Sequence, residues 1–185
     1  MALVLSMLLM TFAGCARERR AEHSALNTCP PLGPAAIEMP QREIDVSMPS
    51  AQALGERFER VLTASGPHAI AFTEEELTSY LALGLGDAWL RNPQVWLTSQ
   101  GVYMRADLTL HQTWQLCLLI RPTTHEGRLR VSLIAGSLGG HAIPRWVLAS
   151  AESALNDALT DTELPVYIEE LVLGEGSAHV TLTPR

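Results

Sequence analysis

The sequence predicts an α+β fold, an antiparallel curved sheet of about six strands packed on two to three helices. Three observations predict it. Two early stretches carry apolar residues at helical spacing. From Gln94 to Ala135 the apolar period changes to two, with short polar turns and no helical pattern between. A third helical stretch and a last pair of alternating runs then close the chain.

The first helix is predicted after Ser50, a suitable N-cap, with Leu54, Phe58, Val61 and Leu62 at i, i+4, i+7 and i+8. Gly66-Pro67 stops it, and His68 to Phe72 is a short extended piece. Thr73-Glu74-Glu75-Glu76 reads as a capping box in which Thr73 caps and Glu76 reaches back. Leu77, Tyr80, Leu81, Leu85, Ala88 and Trp89 share one face of the helix that follows; Gly84 and Gly86 weaken its end and Pro93 closes it.

Val95 and Leu97 alternate before the turn Ser99-Gln100-Gly101. Val102, Met104, Ala106, Leu108 and Leu110 then point one way, and Tyr103, Arg105, Asp107 and Thr109 the other, the pattern of a half-buried strand. Trp114, Leu116, Leu118 and Ile120 make the next strand. A turn over Thr123 to Gly127 leads to Leu129, Val131, Leu133 and Ala135. Gly139-Gly140 ends this meander, and Pro144 suits the first turn of a third helix with Ala151, Ala154, Leu155, Ala158 and Leu159 on its face. The closing hairpin runs from Val166 to Leu182 around Gly174-Glu175-Gly176, with a bulge expected at Glu169-Glu170.

The chain divides into residues 1–14, a signal peptide; 15–49, a polar, proline-rich tether; and 50–185, the globular domain. Ala2 to Ala13 is an apolar run too short to span a bilayer, which takes about 20 residues. It ends Phe12-Ala13-Gly14-Cys15, which resembles the bacterial lipobox. That resemblance implies cleavage before Cys15, acylation of its sulfur, and a lipid-anchored place outside the cytoplasm, on the cell membrane or the outer membrane. Pro30, Pro31, Pro34, Pro40 and Pro49 mark the tether. Outside the cytoplasm Cys29 and Cys117 could form a disulfide. The alternative, two unpaired thiols, is favoured because a flexible tether gives no geometric reason to pair.

Composition excludes several functions. A net charge of −7 argues against nucleic acid as a partner. All 13 basic residues are arginine, which rules out lysine Schiff-base chemistry and a P-loop lysine. The histidines His23, His68, His111, His125, His141 and His179 have no metal-ligand spacing, so no metal or cofactor is expected. Glu74, Glu75 and Glu76 are accounted for by capping and the helix dipole. Ala135-Gly136-Ser137-Leu138-Gly139 resembles a variant esterase elbow, followed by Asp157 or Asp161 and then His179 in hydrolase order. The flanking strands read as antiparallel and no helix follows at once, so no catalytic residue is assigned and no enzyme is expected.

The tryptophans Trp89, Trp96, Trp114 and Trp146 either pack helices on the sheet or line an apolar groove between sheet and helix. On the second reading the ligand is lined by Leu77, Tyr80, Leu81, Trp89, Trp114, Leu116, Trp146 and Leu155.

Four segments in shared order carry a family resemblance. Phe72-Thr73-Glu74-Glu75-Glu76-Leu77-Thr78-Ser79-Tyr80-Leu81 opens a helix; Pro93-Gln94-Val95-x-Leu97 with Gly101-Val102-Tyr103 forms a hairpin. Gly140-x-x-Ile143-Pro144-x-Trp146-x-Leu148 enters the last helix, and Leu164-Pro165-Val166-x-Ile168 with Gly174-x-Gly176 forms the closing hairpin. Over Phe72 to Leu182 the order resembles small envelope proteins of the LmeA-like and YpmS-like type. The resemblance implies a curved sheet around a long helix, phospholipid binding at the cell envelope and no catalytic residues. Two functions are therefore expected in order. The first is a membrane-anchored lipoprotein that binds phospholipid or another apolar ligand between sheet and helix. The second is a structural or assembly lipoprotein that binds another envelope protein through an exposed strand edge or patch.

Overall fold

Helix α1, Met48–Thr63, starts ahead of its apolar pattern. Its N-cap is Ser47 rather than Ser50: the Ser47 hydroxyl accepts the Ser50 N–H at 3.2 Å. Pro49 falls in the first turn, where a missing N–H is harmless. These elements belong to a computed structural model that describes residues 29–33, 37–63, 65–84, 90–109, 111–161 and 166–185. The signal peptide, Cys15, the first part of the tether and Trp89 lie outside the described residues.

The capping box forms between β1, His68–Thr73, and α2, Glu74–Gly84. Thr73 Oγ1 accepts the Glu76 N–H at 3.3 Å, and Glu76 Oε2 accepts the Thr73 N–H at 2.9 Å. Pro93 does not close this helix. It lies inside β2, Leu90–Thr98. The strand tolerates it because the register slips between Arg91 and Gln94, with Asn92 at a φ of 48°.

β3, Gly101–Thr109, β4, Thr113–His125, β5, Arg128–Leu138, and β6, His141–Ala142, complete an antiparallel meander in the order β2-β3-β4-β5-β6. α3 spans Arg145–Asp161, and Pro144 supplies the carbonyl that accepts the Val147 N–H at 3.0 Å. The closing hairpin, β7, Val166–Leu173, and β8, Ser177–Pro184, takes β1 as its third strand in the order β1-β8-β7. The fold is α+β and antiparallel throughout, with eight strands in two sheets. The short extended piece at His68 is a strand because β8 pairs with it from the far end of the chain, His68 opposite Leu182. The register shift between Ile168 and Glu170 places the bulge at Glu169-Glu170.

The two sheets meet at both ends of the closing hairpin. Gly176 N–H donates to the Leu97 carbonyl at 2.9 Å, and Ile168 N–H donates to the Gly127 carbonyl at 2.8 Å. Gly127, at a φ of 74°, lies under Tyr167; a Cβ there would sit 2.5 Å from the ring. Between these points Val95, Leu97 and Ala178 form a core flanked by Phe72, Leu77, Leu81, Val102, Met104 and Leu173.

The second half of the expected tether is part of the domain. Cys29, Leu32, Met39 and Ile44 are buried in one cluster with Trp96, Tyr103, Cys117, Leu119 and Ala135. Trp96, Tyr103, Leu119 and Ala135 are cross-strand neighbours over β2 to β5, so this strap covers a row on the sheet face opposite the Val95 core. Polar contacts fix it as well. Gln94 exchanges two hydrogen bonds with the Ile44 backbone, at 2.7 and 3.1 Å. Trp96 Nε1 donates to the Arg42 carbonyl at 3.0 Å. The Arg105 guanidinium lies 5.5 Å from the centre of the Trp96 ring. Cys29 and Cys117 are joined as a disulfide, contrary to the expectation of free thiols, with Cα atoms 6.1 Å apart. Packing of the strap supplies the geometry that a flexible tether lacks. Burial beneath the strap, and then the nearby charge of Glu175, raise the pKa of the Tyr103 phenol above its ordinary value.

Candidate functional site: an open strand edge beside a basic groove

A sheet edge presents unpaired N–H and C=O groups, and folded proteins close or blunt such edges. On β2, and along the part of β5 that the short β6 leaves uncovered, helix side chains do this. On β5, Asn156 of α3 accepts the Val131 N–H at 2.9 Å and donates to the Val131 carbonyl at 2.8 Å. Glu152 accepts the Leu133 N–H at 2.8 Å, and Arg145 donates to the Leu133 carbonyl. On β2, the Thr78 hydroxyl accepts the Val95 N–H at 3.1 Å, and Glu74 accepts the Leu97 N–H at 2.7 Å. Thr78 is fully buried and Glu74 nearly so. The three consecutive glutamates of α2 are thus divided. Glu74 joins β2 and Arg42, Glu75 accepts the Ser50 hydroxyl at 2.6 Å, and Glu76 serves the cap and pairs with Arg57.

In the three-stranded sheet, β7 is an edge that carries Glu169-Glu170, a bulge and the bond to Gly127. The opposite edge is β1. Its residues His68 to Phe72 carry no charged carboxylate, lysine or arginine. Among the described residues no helix side chain hydrogen-bonds their backbone. Ala69 and Ala71 are exposed and small, while Ile70 turns into the core at 2% exposure.

Beside this edge lies a groove of about 550 Å³, lined by Arg57, Arg60 and Val61 of α1 and by His68, Ala69, Ile70 and Ala71 of β1. Val61 and Ile70 belong to the core cluster with Val166, Ile168 and Leu182, so the groove has an apolar base. Basic side chains wall it. Arg57 forms an ion pair with Glu76. Arg57 Nη2 faces Glu76 Oε1 in this pair, while Arg57 Nε is buried without a hydrogen-bond partner among the described residues.

The residues expected to line a sheet-helix cavity do not converge. Leu77 and Leu81 pack against the Val95-Leu97 core. Tyr80 is exposed, with its ring edge-on to Phe58 at 5.9 Å. Leu116 packs with Leu90, Ala106 and Leu108. Trp114 lies over Gly139, where a Cβ would sit 2.4 Å from the ring. Trp146, at the start of α3, is 63% exposed, and Leu155 farther along that helix is half-buried. Trp89 lies outside the described residues. Trp96, absent from that set, is the fully buried tryptophan. The groove itself was missed because its residues look ordinary one by one. The usable signal was Arg57 and Arg60, one helical turn apart, followed by the uncharged run His68-Ala69-Ile70-Ala71.

Ser137 is 1% exposed and sits mid-ladder, opposite Cys117 on β4 and Ala142 on β6. The strand, sharp turn and immediate helix of an esterase elbow are not present there, since Gly139-Gly140 leads into β6. Among the described residues no group of three or more His, Cys, Asp or Glu side chains is placed to hold a metal, and no helix is long and apolar enough to cross a membrane.

Among the described residues these features define a two-sheet α+β module in which β1, from His68 to Phe72, is not closed by a helix side chain. No family model matches the chain, and no curated protein matches it.

Proposed function

We propose that the chain is an acylated extracytoplasmic module that holds a partner envelope protein by strand addition at β1. The single observation that carries this reading is the contrast between edges. Helix side chains close β2 and the uncovered part of β5, while among the described residues none bonds the β1 backbone from His68 to Phe72, beside a groove. Strand addition uses such an edge: backbone bonds supply affinity and pockets for alternate side chains supply specificity. The Cys29–Cys117 disulfide suits an oxidising compartment, and Phe12-Ala13-Gly14-Cys15 supplies the anchor.

A second reading keeps the lipid ligand implied by the LmeA-like and YpmS-like resemblance. The observation that favours it is the apolar base of Val61 and Ile70 in a groove of small-molecule scale.

Photocrosslinking in intact cells tests the first reading. A photoreactive residue at Ala69 should trap one discrete partner, and one at exposed Ala149 on α3 should not. Ala71→Glu, which places on β1 the kind of edge charge β7 carries, should abolish the adduct. No adduct at Ala69, or one that survives Ala71→Glu, overturns strand addition. Cys15→Ala should release the protein from the membrane fraction; retention there would sink the anchor.

A further inference from the structure

We infer that the segment seated on β1 is acidic and extended, with a carboxylate held by Arg57, Arg60 and His68. This rests on strand addition at β1 and names the chemistry of the partner.

The chain carries a net charge of −7, yet among the described residues none that lines this groove is acidic, while two arginines and a histidine line it. Among the described residues Arg57 Nε and His68 Nε2, both of groove residues, are buried without a hydrogen-bond partner, while Arg57 Nη2 faces Glu76. Buried polar groups are normally satisfied, so their concentration in one place marks a missing partner. Arg60 Nε donates to the Glu56 carbonyl at 3.2 Å, and among the described residues its guanidinium enters no ion pair. Arg57 and Arg60 stand one turn apart on α1 and wall the groove together. A guanidinium offers a planar fork of donors that matches a carboxylate.

The open edge decides between a peptide and a lipid. An acyl chain laid along β1 would cover its backbone groups and satisfy none of them. An extended peptide pairs with those groups, and its side chains alternate. One set would lie on the His68-Ile70 face, with Val61 and the arginines of α1, and the other on the face of Ala69 and Ala71. The fitting segment therefore alternates Asp or Glu on the first face with apolar residues on the second.

The test uses the full acylated chain in phosphatidylcholine nanodiscs and fluorescent eight-residue peptides of alternating Val and Glu, Val and Gln, or Val and Lys. Anisotropy should show the Glu peptide bound at least tenfold more tightly than the Gln peptide, with the advantage falling as salt rises. Amide exchange should slow at residues 69–72 when it binds. Arg60→Glu, at an exposed position, should weaken the Glu peptide at least tenfold and improve the Lys peptide. If Gln or Lys peptides bind as well as Glu while protecting β1, the acidic specificity is wrong and strand addition survives. If no peptide protects β1, strand addition itself fails. If phosphatidylglycerol in the nanodisc protects residues 69–72 without peptide, the basic wall serves a lipid headgroup and the inference is overturned.

Discussion

Asn156 and Val131 exchange two hydrogen bonds, so that one side-chain amide on α3 takes the place of a neighbouring strand along β5. Thr78 does the same for Val95 on β2, as acceptor of the N–H and donor to the carbonyl at 3.4 Å. β2 and the part of β5 that β6 leaves uncovered are therefore sealed by helices that do not join the ladder. In the smaller sheet Glu76 closes only the Thr73 end of β1, and among the described residues no helix side chain bonds the backbone from His68 to Phe72.

Replacing Asn156 by Ala leaves the Val131 N–H and C=O without these partners. The expected loss is about 1–3 kcal/mol, read from urea unfolding. The freed β5 edge should also raise self-association in sedimentation velocity. An unchanged midpoint would mean that water replaces the amide without cost.

The disulfide closes a loop with a sequence separation of 88, and chain entropy alone gives it a contribution of about 4.6 kcal/mol as an upper figure. Cys29→Ser should lower stability substantially and speed proteolysis within the strap. Thiol tagging of the unfolded protein should label Cys117 only after reduction. Labelling without reduction would show the two cysteines unpaired.

Leu32 is 1% exposed and packs in the cluster that contains Trp96. Leu32→Ala should cost about 2–5 kcal/mol and shift tryptophan emission to the red as water reaches the indole. A change under 1 kcal/mol would show that the strap adds little to the core.

Tyr103 has its pKa raised by burial and then by the charge of Glu175. Its folded pKa is above the unfolded value of about 10, so between the two the folded state holds more protons than the unfolded state. The stability it contributes is full below that value and falls as the pH rises through the folded pKa. Tyr103→Phe should flatten the alkaline slope of unfolding free energy. The same slope in wild type and variant would assign it to other groups.

Much of the local structure was legible. Thr73 and Glu76 identify a helix start because a capping box is closed within four residues. The turn at Gly174-Glu175-Gly176 and the bulge at Glu169-Glu170 depend on neighbours in the chain and were readable for the same reason. The strap was not. Its prolines and charges resemble a tether, and its apolar residues Cys29, Leu32, Met39 and Ile44 lack a regular period. A clue lay in β2 and β4, where Val95-Trp96-Leu97 and Leu116 to Ile120 are apolar on both faces, as doubly covered strands are. Where the expected ligand-lining residues come to rest was not legible for a related reason. Their spacing shows that each belongs to an apolar face, but nothing in it says that those faces share one cavity.

By itself, the sequence determined the α+β class, the antiparallel pairing, the capping box at Thr73, most turns and the charge balance. These follow from interactions over a few residues and from periodicity. The tertiary structure alone decided that a proline-rich segment closes the outer sheet face, that Cys29 meets Cys117, and that β5 and β2 are sealed while β1 is open. Each depends on where distant segments come to rest, because an alternating pattern encodes which side of a strand avoids water and leaves unstated what will cover it.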